Sequence, residues 1–79
     1  MEAKVKRIYP ESGHGFLFNP EGGPDIFFRA ACRYKQRKGR LKLVEGEEAK
    51  VLPKKGKKVV ILNQENTEKG PRATKWKLP

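Results

Sequence analysis

Apolar and polar positions alternate with a two-residue period in two short stretches near the start of the chain, His14-Gly15-Phe16-Leu17-Phe18 and Asp25-Ile26-Phe27-Phe28-Arg29. Alternation puts Leu17, Ile26 and Phe28 on one side of a hairpin and His14, Phe16, Phe18, Phe27 and Arg29 on the other. The first side is an inward face. The second is a cluster of flat rings with cations among them, on the side that faces water.

The remaining strands follow from the same pattern. Ala3 to Tyr9 predicts a first strand, stopped by Pro10; Val5 points inward, and Ile8 breaks the alternation, which calls for a bulge or bend near Arg7. Pro10-Glu11-Ser12-Gly13 and Asn19-Pro20-Glu21-Gly22-Gly23-Pro24 are turns. Ala30-Ala31-Cys32 fits a short helical turn. Arg33 to Lys42 carries six basic residues and no acidic one, and reads as an exposed loop. Leu41, Leu43, Val44, Val51 and Leu52 around Glu45-Gly46-Glu47-Glu48-Ala49 suggest a small hairpin outside the core. Lys58 to Leu62 predicts the fourth strand, Asn63 to Pro71 a polar connection, and Arg72 to Leu78 a fifth strand with Trp76 and Leu78 on one face and Trp76 in the core. Without a repeat or a convincing helix, the expected fold class is all-β, a five-stranded antiparallel barrel with an extended loop between its third and fourth strands.

Seventy-nine residues make one domain with one small core, so a large buried active-site cavity is not expected. Charge changes the picture more. Nineteen Lys and Arg against nine Asp and Glu give a formal net charge of +10, so the expected partner is a polyanion. An anionic membrane surface is disfavoured, because there is neither a spanning apolar run nor a long amphipathic helix. Cys32 is the single cysteine, which excludes an intrachain disulfide and suits a reducing compartment. With no signal-peptide pattern at the N-terminus, a cytoplasmic location and a monomer are the expectation.

At the level of motifs, Val5-Lys6, Gly13-His14-Gly15-Phe16-Leu17, Asp25-Ile26-Phe27-Phe28-Arg29 and Lys69-Gly70-Pro71-Arg72-Ala73 resemble, in order, the signatures of the cold-shock domain. The resemblance covers roughly two-thirds of the chain. It implies an OB-type barrel that binds single-stranded RNA or DNA, with two ribonucleoprotein-like motifs on the second and third strands and the Lys-Gly-Pro-x-Ala segment leading into the fifth. The departures are specific. Arg7-Ile8 stands where the family has a Trp-Phe pair, His14 replaces a Phe between the glycines, and Arg29 replaces a His. Stacking is thereby shifted toward electrostatics, although Arg and His can still lie on bases. The stretch before Val59 is longer than the family's loop. Either Gly56-Lys57-Lys58-Val59 or Glu45 to Ala49 can serve as the entry to the fourth strand, and the stronger apolar run favours the former.

The candidate nucleic-acid-binding residues are Lys6, Arg7, His14, Phe16, Phe18, Phe27, Arg29, Lys69 and Arg72. Phe16 and Phe27 would stack unpaired bases, since Leu17, Ile26 and Phe28 already fill the inward face. Phe18, at a strand end, fits either face, and His14 fits a turn as well as a stack. The five cations would contact phosphates or simply solubilise the surface. One His and one Cys cannot assemble a metal site or a triad, and no cofactor is called for, so an enzyme is the least favoured class. The expected function is sequence-tolerant binding of single-stranded RNA or DNA, and the resemblance adds a nucleic-acid chaperone role. The competing reading is a structural module that docks on the ribosome or on an acidic protein.

Overall fold

The first strand serves two neighbours, and a bulge lets it do so. In the computed structural model, which describes Met1–Pro79, β1 (Glu2–Tyr9) pairs through Glu2, Ala3 and Lys4 with β6 (Lys58–Thr67) and through Val5 onward with β2 (His14–Leu17). Val5 faces Leu17 and Arg7 faces Phe16, so Lys6 is the extra residue. The insertion reverses the phase of the strand. Ala3 and Val5 are buried before it, Ile8 packs on the core after it, and Arg7 and Tyr9 turn outward. The expected bulge near Arg7 is present.

β2 pairs antiparallel with β3 (Ile26–Arg29), and β7 (Gly70–Lys77) pairs antiparallel with β6. Phe27 pairs with Arg72 across a parallel contact between β3 and β7, which closes a barrel running β1-β2-β3-β7-β6 and back to β1. The expected five-stranded OB-type barrel is therefore present, with one correction. The closing pair is parallel, because β3 and β7 are joined by a long excursion rather than a hairpin. No helix is long and apolar enough to cross a membrane.

Leu17, Ile26 and Phe28 are fully buried, as the alternation predicts, with Val5, Val59 and Trp76. The Phe28 and Trp76 rings meet edge to face at 5.2 Å. Trp76 Nε1 donates a 2.6 Å hydrogen bond to the Arg29 carbonyl, so the buried indole keeps its polar group satisfied. Leu78 does not share that position. The strand ends at Lys77 and Leu78 lies exposed beyond it.

Three further expectations change. β6 runs through Asn63 to Thr67 instead of ending at Leu62, with register irregularities around Asn63. Its second half pairs with β7 while its own residues stay exposed, so nothing there requires apolar side chains. The basic stretch is not an open loop. β4 (Arg33–Arg37) and β5 (Arg40–Leu43) form a hairpin through Lys38-Gly39, both with positive φ. That geometry suits a two-residue hairpin turn of the type that follows strand twist. The segment expected to carry a hairpin is a 3-10 turn, Gly46–Lys50. β4 docks on the end of β7 by pairing Arg33 with Trp76 and Tyr34 with Lys77. The expected short helical turn at Ala30–Cys32 is a 3-10 turn.

Arg33 departs furthest from expectation. It is 6% exposed, and its guanidinium donates to the Glu48 carbonyl at 3.2 Å and pairs with the Glu48 carboxylate at 3.3 Å. This cation pins the Gly46–Lys50 turn to the hairpin. Arg33→Gln should therefore destabilise the protein by about 1–3 kcal/mol, the worth of a buried charge-assisted hydrogen bond. Arg37→Gln, on an exposed residue, should leave the thermal midpoint almost unmoved.

Gly15 gives a sharper test. A Cβ at this position would lie 2.5 Å from the Arg7 carbonyl oxygen, 2.9 Å from Phe28 and 3.0 Å from Ile8. The close backbone approach thus lies inside the protein. Gly15→Ala should cost about 1–3 kcal/mol by overpacking, measured by chemical denaturation.

Candidate nucleic-acid interface

Cross-strand pairing sets the candidate side chains in two rows over the outer face. Partners directly opposite in a sheet point to the same side. The first row runs Arg7, Phe16, Phe27, Arg72 across β1, β2, β3 and β7. The second runs Tyr9, His14, Arg29 across β1, β2 and β3. The β1 bulge is what brings Arg7 and Tyr9 into these rows.

Within them four rings form a continuous cluster. Phe16 and Phe27 centroids are 5.6 Å apart, His14 and Phe27 5.3 Å, and Tyr9 and His14 5.0 Å. The His14 ring is tilted 37° to Phe27 and 30° to Tyr9, whereas Phe16 stands near edge-on to Tyr9 and His14. Phe16, Phe27 and His14 are half-buried, each leaning on its neighbours and leaving part of the ring in water. Tyr9 is the member that sequence reasoning missed. The signal was available, since a four-residue turn between Tyr9 and His14 places those two opposite each other.

Phe18 stands apart from this cluster. It lies beyond the end of β2, is half exposed, and contacts no other ring; Lys6 Nζ sits 5.3 Å from its centroid. Lys6 is also engaged with Asp25 at 3.0 Å. Arg29 and Arg72 approach the Phe27 ring with their guanidinium carbons at 5.5 and 5.9 Å. Arg7 is exposed beside Phe16. Lys69, in the turn between β6 and β7, joins Phe16, Phe27, Arg29 and Arg72 around a groove of about 600 Å³. Asp25 and Glu68 also line that groove, so the positive track is interrupted.

Chemically this surface offers ring faces, guanidinium planes and ammonium groups. No group of three or more His, Cys, Asp or Glu is placed to hold a metal ion. Comparison of the sequence with models of known protein families finds no match, and a search of curated proteins likewise finds no relative.

The Lys6–Asp25 pair is about one-third exposed on both sides. Such pairs contribute at most about 1 kcal/mol. A double-mutant cycle with Lys6→Ala and Asp25→Ala should give a coupling energy below that, shrinking as salt is raised from low to physiological levels.

Proposed function

We propose that this protein binds single-stranded RNA or DNA with low sequence specificity, as a cold-shock-like domain, and acts as a nucleic-acid chaperone by holding strands unpaired. The observation that carries the reading is the row Arg7, Phe16, Phe27, Arg72, in which two half-buried rings are flanked by guanidiniums on the outside of a closed small barrel. A sheet whose inner face is already filled by Leu17, Ile26 and Phe28 gains nothing for its own core by holding four rings on the outer face. A flat ligand gains a stacking surface there, and its phosphates meet Arg29, Lys69 and Arg72 along the groove. The strand order of the barrel and the placement of the motif residues on β2, β3 and the start of β7 fit the same reading.

Specificity should be low because every base presents a π face, so stacking on the rings is sequence-tolerant. Binding of unpaired strands lowers the free energy of the open state and so melts weak secondary structure by mass action.

Fluorescence anisotropy with short single strands tests the proposal. Phe16→Ala and Phe27→Ala should each weaken binding by about 1–3 kcal/mol with the fold retained by circular dichroism, and Tyr9→Ala should weaken it by a smaller amount in the same direction. Affinity should fall log-linearly with salt, at about −0.7 per phosphate neutralised. Salt-independent binding would overturn the phosphate contacts, ring variants that bind as well as the parent would overturn the stacking role, and no binding of single strands at all would favour the ribosome or acidic-protein docking reading instead.

A further inference from the structure

The β4–β5 hairpin separates its residues by face. Tyr34, Gln36, Leu41 and Leu43 pair across it on one side; Lys35 faces Lys42 and Arg37 faces Arg40 on the other. Like charges directly opposite one another destabilise an antiparallel pair, and this hairpin keeps two such pairs in succession. Glu48 relieves only Lys35, at 3.2 Å. Arg37, Arg40 and Lys42 are exposed, form no ion pair, and with Lys38 alone line a recess of about 490 Å³. The repulsion stored there falls when a polyanion lies alongside.

The position of this surface separates it from the rings. β4 runs parallel to β7 and continues beyond its end, pairing Tyr34 with Lys77, whereas the ring row crosses β7 at Arg72. At about 3.3 Å per residue, the hairpin tip lies on the order of 25 Å beyond that row. The long axis of the molecule, 35 Å, accommodates the span. The cationic face of the hairpin carries no aromatic ring, so it lacks the stacking platform that the ring rows offer to unpaired bases. Its four cations, packed on two adjacent strands, match the higher charge density of paired nucleic acid, which carries one phosphate per 1.7 Å of axis, about twice that of one strand.

We infer that the basic face of the β4–β5 hairpin is a second binding surface, for the phosphate backbone of a nucleic-acid duplex flanking the strand held on the rings. The protein would then sit at junctions between paired and unpaired segments, with the rings on the open strand and the hairpin on the duplex. The second half of this inference rests on the proposed function; the duplex contact stands without it.

The test compares three probes: a single strand of about four nucleotides, the low end of an OB-fold site; a blunt duplex of about twelve base pairs; and the two joined as a tailed duplex. The variants are Arg37→Gln/Arg40→Gln/Lys42→Gln and a charge-matched control, Lys54→Gln/Lys55→Gln/Lys57→Gln, on exposed residues of the loop before β6. The tailed duplex should bind the parent protein at least about tenfold more tightly than the short strand at low salt. The hairpin variant should lose that gain, flatten the salt slope for the tailed duplex by about 0.9 per cation removed, and bind the short strand as the parent does. Phe27→Ala should weaken the short strand and leave the blunt duplex unchanged. Equal losses in the charge-matched control, or an equal gain from a single-stranded extension of the same length, would overturn the duplex surface. Failure of the short strand alone to bind would overturn the ring reading and leave the blunt-duplex result to judge the hairpin.

Discussion

Closure of the barrel depends on Trp76. Its indole packs edge to face on Phe28 at 5.2 Å and donates to the Arg29 carbonyl at 2.6 Å, so one side chain of β7 grips both the inner face and the backbone end of β3. The parallel contact between β3 and β7 has only the Phe27–Arg72 pair in register, too little ladder to hold the seam alone. The fully buried Trp76 supplies what those few backbone hydrogen bonds lack, and its own register with Arg33 starts β4 at the same place. Barrel seam, ring row and basic hairpin are therefore mechanically linked through one residue.

A second constraint is the phase change at Lys6. Without an extra residue in β1, Arg7 would turn inward, Ile8 outward, and Tyr9 away from His14. With it, an apolar residue reaches the core and a cation and a ring join the outer face. The close approach at Gly15 belongs to the same device, since the bulged strand carries its Arg7 carbonyl against the β2 backbone where no Cβ fits. Candidate site and core are thus built by one local irregularity.

Charge is distributed unevenly over the fold. Along the groove Asp25 and Glu68 interrupt the cations, and Lys6 is tied to Asp25. The hairpin has no acidic residue of its own, and Glu48 in the Gly46–Lys50 turn beside it holds Arg33 and Lys35 and leaves the tip uncompensated. A net charge of +10 therefore acts as two patches of different character, one mixed with rings and moderated by carboxylates, the other purely cationic.

The inward face, the bulge and most of the ring cluster were legible in the chain, because Leu17, Ile26 and Phe28 alternate with Phe16 and Phe27 over strands short enough to be read locally. The hairpin was not. Arg33 to Leu43 does alternate, but only Leu41 and Leu43 give it an apolar period, too short to mark a strand pair, and the docking of β4 on β7 and the Arg33–Glu48 contact that order it are not local. The polar second half of β6 was hidden for the same reason, its pairing with β7 being the sole source of its regularity. Arg33 in a run of cations carries no local sign that it will be buried. That follows from the distant Glu48, fifteen residues on, folding back to receive it. Patterning by itself determined which side chains could form a core and which rings were left over. The tertiary structure alone decided which strands meet, and so which cations stand beside the rings, which are held by carboxylates, and which face solvent unpaired.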